Sequence, residues 1–448
     1  MAEPVTIGVG LIGSGVVGGG VAEVLLTRRD LIRQRAEVDL DLLLVADKER
    51  ERALATGIAP DRITDDYRSV VSDPRISIVV ELIGGVNLAY DVVSAALRAG
   101  KHVVTANKAL LAERGGDLFA LARTNNLCLS FEASVAGGIP LLLSLREGLI
   151  ANRLSSLLGI VNGTCNYILS EMTAKGISFA DSLKEAQNLG FAEADPSTDI
   201  DGKDSGHKLA LLSALAFDTW IDFPSLHIEG IRNIQDSDIK ITSFLGYTLK
   251  LLAVARTDPP PPPISQGINQ ELPGPGRLFL SVHPSLLRKS NPMASVSGSL
   301  NAVETNGDVV MESMFYGRGA GRYPTASAVV SDIAAIAKNL RYGGARGWFP
   351  PASNSYQIAP MEDYRTRYYL RFNVHDRSGV LGILATILGR HHVSIAAMHQ
   401  FEDDPNDNLA SVCLSTHLAR EGDITQAIAE ITRMDFLAGE PALIRIED

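Results

Sequence analysis

The chain has 448 residues, more than one hydrophobic core usually holds, so two or three domains are expected. Hydrophobic residues make up 46% and charged residues 21%, ordinary globular values that exclude a disordered chain. Lys and Arg number 41 against 52 Asp and Glu, and a net charge of −11 lacks the basic footprint of a general nucleic-acid binder.

Residues 1–4 carry no positive n-region and lead into a strand-like stretch, which is not the pattern of a signal peptide. Residues 5–12 form an apolar strand candidate ending in Gly13-Ser14-Gly15-Val16-Val17-Gly18, and Val17, Val21, Val24 and Leu25 follow at helical spacing. A second apolar run, 40–46, ends at Asp47, and a third, 76–83, closes with Gly84-Gly85. Residues 92–97 suit a helix, while 102–105 and 127–131 read as short strands. Strands alternating with helices predict a doubly wound parallel sheet that binds a dinucleotide, over residues 1–135.

The pattern changes over 136–345 to longer helices mixed with irregular segments. The five prolines 259–263, followed by Pro273 and Pro275, cannot donate ladder hydrogen bonds and predict a solvated loop. Residues 341–351 read as a linker. The last module, 365–448, predicts the order βαββαβ, a ferredoxin-like sandwich. Cys128, Cys165 and Cys413 have neither disulfide nor zinc spacing, which points to a reducing compartment, the cytosol. No apolar run nears the about 20 residues needed to span a bilayer, so no membrane partner is expected.

Glycine at 13, 15 and 18 meets the demands of a pyrophosphate: a tight turn, a close backbone approach, and a helix packed on the sheet. The helix N-terminus then offers free N–H groups to phosphate. Asp47 stands where a carboxylate accepts the ribose hydroxyls of NAD and repels the 2′-phosphate of NADP. Lys48, Arg50 and Arg52 follow at once and offset that repulsion, so the choice between NAD and NADP stays open.

The densest polar cluster runs from Gly190 to Lys208, with Glu193, Asp195, Asp199, Asp201 and Asp204 beside Lys203 and Lys208. Asp204 and Lys208, four apart, share one helix face, which by itself reads as a surface ion pair. The acids lack EF-hand spacing, which disfavours a calcium loop. A sharper reading is a site for a zwitterion, with carboxylates holding its ammonium group and a lysine supplying a proton to oxygen. Carbonyl reduction suits lysine, because hydride arriving at carbon leaves charge growing on oxygen. Thr105-Ala106-Asn107-Lys108 places a second lysine just after a sheet strand, where α/β ligands bind.

These residues together resemble the homoserine dehydrogenase family. The resemblance rests on GSGVVG at 13–18, ELIGG at 81–85, TANK at 105–108, FEASVAGGIP at 131–140 and NGTCNYI at 162–168. GFAEADP at 190–196, DIDGKDSGHKL at 199–209 and YGRGAGRYPTASAVVSD at 316–332 continue it in order. The tail, with Asp376-Arg377-Ser378-Gly379, is similar to an ACT domain.

The resemblance implies a Rossmann-type first domain and, over 136–345, a mixed α+β catalytic and dimerisation domain whose segment 319–340 packs back on the first. It also implies reversible reduction of L-aspartate 4-semialdehyde to L-homoserine with NADP or NAD, on the route to threonine, methionine and isoleucine. It implies Lys208 as proton donor and Lys108 as the second active-site lysine, which also contacts the cofactor. Glu193, Asp204 and Asp199 become substrate-binding acids, and Gly190 and Gly321 cofactor contacts. Glu132 with the backbone of Val135, Gly137 and Ile139 becomes a site for a monovalent cation such as sodium. An amino-acid effector, threonine, at Asp376 and Gly379 and assembly as a homodimer or homotetramer follow. Cys165 stands where the family often has Thr or Ser. Two competing readings are an aldehyde dehydrogenase with Cys165 as nucleophile and His207 as base, and a sensor on the same scaffold that has lost catalysis.

Overall fold

A computed structural model describes residues 5–263, 276–343, 347–351, 354–402 and 409–447. The expectations at 1–4, at Pro273 and Pro275 and over part of 341–351 lie outside the described residues. The first sheet holds β1 (Thr6–Ile12), β2 (Asp39–Ala46), β3 (Ile63–Thr64), β4 (Ile76–Glu81), β5 (His102–Thr105) and β6 (Leu129–Ser130). Their order is β3-β2-β1-β4-β5-β6, with every pair parallel. Strand order reverses between β1 and β4, so a crevice opens beyond their carboxyl ends, where Gly13 and Gly84 turn the chain with positive φ. The two-residue strand β3 has no counterpart among the sequence expectations, being too short to show a period.

Buried residues alternate along the strands because both faces are covered. Val9, Leu11, Ile78 and Val80 face a core shared with Val21, Ala22, Ala326, Val329 and Ile333. Ile12, Val79 and Val103 face the opposite side, against Val92, Val93, Leu97, Leu110 and Leu111. The helix Arg322–Tyr342 lies on the helix Val16–Thr27. Gly20 permits that approach, since a Cβ there would stand 2.9 Å from the Arg322 carbonyl oxygen.

The second sheet is mixed. From its free edge it runs Met311–Arg318, Leu300–Gly307, Leu154–Ile160, Tyr247–Asp258 and Gly276–Arg288. It then continues through Ala442–Ile446, Arg365–His375, Leu409–Thr416 and Ile395–Glu402. The prolines 259–263 follow the strand Tyr247–Asp258 without strand or helix. The tail has the order strand Arg365–His375, helix Val380–Arg390, strands Ile395–Glu402 and Leu409–Thr416, helix Glu421–Ile431 and strand Ala442–Ile446. It has its own core around Tyr368, Phe372, Leu384, Ile387, Ile424 and Ile431. Its last strand nevertheless pairs parallel with Gly276–Arg288, at Ser285 with Arg445 and Leu286 with Ile446. One continuous sheet therefore joins the ACT-like module to the middle of the chain. Among the described residues no helix is long and apolar enough to cross a membrane.

Candidate active site

The site forms where the first sheet meets the helix Lys203–Ala216. Asp204 sits in the first turn of that helix, after Gly202 with φ of +82°, where the amide dipoles favour a negative charge. One turn on, Lys208 Nζ lies 2.7 Å from Asp204 Oδ2 and 2.6 Å from the Val161 carbonyl oxygen. Lys108 Nζ comes from the first domain to within 3.3 Å of Asp204 Oδ1. Burial acts to raise the Asp204 carboxyl, but the Lys208 and Lys108 ammonium groups overcome it and hold the group well below the usual carboxylate range. The pair is thus buried, not the surface i,i+4 pair that the spacing alone allows.

The TANK segment explains how Lys108 is aimed. Thr105 Oγ1 donates to the buried Glu81 carboxylate at 2.6 Å, and Asn107 caps the helix Lys108–Thr124 by accepting from the Leu110 amide. The Asn107 amide also donates to the Gly85 carbonyl at 2.6 Å, tying the ELIGG turn to the same helix start. Burial pushes the Glu81 carboxyl up, against its bonds from Thr105 and the Ile83 and Gly84 amides.

Asn162, which sequence reasoning did not single out, links the acids. Its oxygen caps the helix Gly163–Lys175 at Cys165 N, while its amide donates to Asp199 at 2.7 Å and to Asp204 at 2.8 Å. Thr164 Oγ1 adds a bond to Asp199 at 3.0 Å. An Asn-Gly-Thr sequence reads as a helix N-cap; the free amide of such a cap was the available signal. Burial and the neighbouring Asp204 charge push the Asp199 carboxyl up. The hydrogen bonds of this cluster among the described residues do not include Glu193, which is exposed after the helix Phe179–Asn188. Gly190 has a φ of +75° at that same turn.

Cys165 is fully buried and donates to the Asp199 carbonyl oxygen at 3.2 Å. Burial, with Asp199 and Asp204 beside it, pushes its thiol well above the ordinary range. A thiol kept neutral in this way is a poor nucleophile, so the aldehyde-dehydrogenase reading has no support here.

At the dinucleotide loop, a Cβ on Gly18 would stand 1.9 Å from the Gly13 carbonyl oxygen, and one on Gly15 would meet nothing within 4 Å. The first glycine brings helix onto turn; the second leaves the approach open. A cavity of about 300 Å³ lies beside them, lined by Gly13, Gly15, Asp47, Lys48, Arg52 and Tyr67. Asp47 accepts from Ser14 N at 2.7 Å, Ser14 Oγ at 2.5 Å and Glu49 N at 2.9 Å. Burial works against this carboxylate, but those bonds keep it below its ordinary value. Val16 is exposed at the helix start, followed by Val17 and the buried Gly18. Gly321 precedes the helix Arg322–Tyr342 with φ of +127°.

Glu132 turns its carboxylate inward, accepting from Leu142 N at 2.9 Å and Leu143 N at 2.8 Å. Its own amide donates to the half-buried Asp332 at 2.9 Å, and desolvation pushes the Asp332 carboxyl up to about 7. Val135 is buried, the Gly137 amide donates to Gly319 O, and Ile139 O accepts from Leu141 N.

Comparisons with known proteins agree with this layout. The family model for the homoserine dehydrogenase NAD binding domain matches residues 13–132, that for homoserine dehydrogenase matches 140–334, and that for the ACT domain matches 368–435. The chain is 42% identical over 446 residues to homoserine dehydrogenase from Neisseria gonorrhoeae, covering 98% of each. It is 40% identical over 444 residues to the Pseudomonas aeruginosa enzyme, again covering 98% of each. A crystal structure of a homoserine dehydrogenase from Thiobacillus denitrificans superposes with a TM-score of 0.89 at 42% identity, covering 99% of this chain and 98% of that one. A hyperthermophilic archaeal relative, solved in complex with NADPH, has a TM-score of 0.60 at 25% identity over 76% of this chain and 100% of that one. With three family models matched in order and relatives at 40–42% identity over nearly the whole chain, the chain belongs to the homoserine dehydrogenase family.

Proposed function

We propose that Lys208 passes the proton to and from the substrate oxygen in the CH–OH oxidoreduction that this family performs, between L-aspartate 4-semialdehyde and L-homoserine. The observation that carries this reading is the convergence of Lys208 and Lys108 on Asp204, at 2.7 and 3.3 Å. Asp204 holds both ammonium groups at one place, and Val161 O fixes the direction of Lys208. Charge growing on the substrate oxygen during reduction then meets two fixed cations in a partly dry site. Lys208 donates the proton there, and Lys108 steadies the oxygen. Asp199, with Glu193 on the outer turn, faces the ammonium group of the substrate.

Gly13, Ser14, Gly15, Val16, Val17 and Gly18 fit a dinucleotide, because the Gly15 side of the loop is open and the first-turn amides of a helix have no intrahelical acceptor to compete with phosphate. When bound, the nicotinamide supplies or accepts the hydride. Gly190 and Gly321 form further parts of its binding surface. Lys48 and Arg52 line the cavity and favour the 2′-phosphate of NADP, while Asp47 is occupied in clamping the loop. A monovalent cation, such as sodium, would rest on main-chain oxygens of Glu132, Val135, Gly137 and Ile139, since the Glu132 carboxylate is already taken by amides.

The ACT module takes an amino-acid effector, threonine, at the loop of Asp376 and Gly379. Support comes from the φ of +96° at Gly379 and the open space around it. Assembly as a homodimer or homotetramer uses the free edge strand Met311–Arg318, which exposes Met311, Met314 and Tyr316. The direct test is homoserine oxidation, followed by absorbance of the reduced nicotinamide, with NAD and NADP separately. Purified protein that binds cofactor but oxidises no homoserine would overturn the reading.

A further inference from the structure

The junction between the ACT-like module and the middle of the chain holds an unusual set of buried charges. Arg445, on the last strand, is almost fully buried. Its Nη1 donates to Glu229 Oε2 at 2.9 Å and its Nη2 to Glu229 Oε1 at 2.8 Å. On its other side it donates to Glu421, whose carboxylate also accepts from Tyr368 Oη at 2.9 Å. One guanidinium thus lies between a carboxylate of its own module and one from outside it. A planar fork held on both sides transmits position better than a flexible lysine would.

Glu229 leads straight to the substrate acids. Its amide donates to Val282 O at 2.7 Å, on the strand Gly276–Arg288. The next residue, Gly230, lies so close to the Asp199 loop that a Cβ there would stand 2.1 Å from the Ile200 carbonyl oxygen. Ile231 N donates to that same oxygen at 2.8 Å, and Arg232 pairs with Asp201. Both flanks of Asp199–Asp201 are thereby held: Asn162 and Thr164 grip the Asp199 carboxylate, while residues 230–232 grip the backbone behind it.

We infer that Glu229 is a positioning residue for the substrate, and that Arg445 sets it. The pair fixes residues 230–232, these fix the Asp199–Asp201 loop, and the loop fixes where the ammonium group of homoserine sits. The inference rests on the reading of Asp199 as a substrate acid. Its consequence is a contact path by which the ACT module acts on substrate affinity without touching the dinucleotide loop.

Steady-state kinetics on the full chain test it, with cofactor affinity measured in parallel. Glu229→Gln and Arg445→Met should each lower kcat/KM for homoserine by about tenfold to a hundredfold, as expected for a displaced binding group, mainly through KM. Cofactor affinity should not move. Arg445→Lys should recover part of the loss, and Glu421→Gln, which leaves the Glu229 contact in place, should lower the melting temperature with KM little changed. Should Arg445→Met not fold, Glu229→Gln carries the test, because its side chain is partly exposed. Unchanged KM in a folded Glu229→Gln protein, where Asp199→Asn does raise KM, overturns the inference alone. Equal KM losses in Glu421→Gln and Glu229→Gln also overturn it, since that is general loosening of the junction. Unchanged KM in Asp199→Asn removes the substrate-acid reading, and this inference with it.

Discussion

Lys208 and Asp204 lie one helical turn apart with Nζ and Oδ2 separated by 2.7 Å, in a site where both side chains are nearly buried. On the proposed reading, the acid fixes the lysine where an alkoxide forms. Lys208→Ala should therefore lower turnover by about 10²–10⁴-fold, the usual worth of a general acid, with cofactor affinity kept. A loss below tenfold in single-turnover assays would remove the proton-donor role. Asp204→Asn should lower kcat as well as affinity, because it releases two lysines and not the substrate alone.

Asp47 and Ser14 are joined by two hydrogen bonds to one carboxylate oxygen. Asp47→Ala should weaken NAD and NADP alike, by about tenfold to a hundredfold for the loss of charge-assisted bonds worth roughly 1.5–3 kcal/mol. Lys48→Ala and Arg52→Ala should instead weaken NADP selectively. Fluorescence titration with both cofactors separates the two patterns; weaker NAD with unchanged or tighter NADP in Asp47→Ala would make it a ribose reader.

Asp332 carries a pH signature. Its folded carboxyl titrates near 7, against about 3.9 in an unfolded chain. A raised folded value means that its contribution to stability is fully present below about pH 4 and is lost as pH rises through about 7. Asp332→Asn, which can still accept from the Glu132 amide, should melt higher than the parent at about pH 8, with the gap closing towards about pH 4. Each tenfold difference in proton affinity between folded and unfolded chains corresponds to about 1.36 kcal/mol, so a gain of at least about 1 kcal/mol is expected. A pH-independent gap in calorimetric melts would rule out the titration.

Cys165→Ser should keep activity within about threefold and lose roughly 1 kcal/mol of stability, the scale of a disturbed buried hydrogen bond. Hydride transfer needs no covalent intermediate. A folded but inactive variant would reopen the thiol question.

Asp376→Ala should abolish the response to threonine while leaving basal homoserine oxidation intact. Truncation near Met361 is a poor substitute, because it removes four strands of the continuous sheet together with Arg445 and the buried Glu447. Calorimetry with threonine reads the outcome, and unaltered binding by the variant would move the effector site elsewhere.

The order of strands and helices is largely a local property, and it was legible in the sequence for the tail and for the longer strands of the first domain, though not for the two-residue strand Ile63–Thr64. Apolar runs ending in Gly13 or Asp47 mark strand ends, and a period of two or 3.6 marks the buried face. Side-chain identity likewise determined which residues could do the chemistry: two lysines, a cluster of acids and a glycine loop. Only tertiary structure decided how they meet. That Lys108 and Lys208 share one carboxylate, that Asn162 bridges Asp199 and Asp204, and that Arg445 grips Glu229 are contacts between remote segments. Periodicity reports the face a side chain occupies, not the partner packed against that face. The parallel joint between Ser285 and Arg445 has the same origin, because an edge strand carries no mark of the neighbour it will pair with.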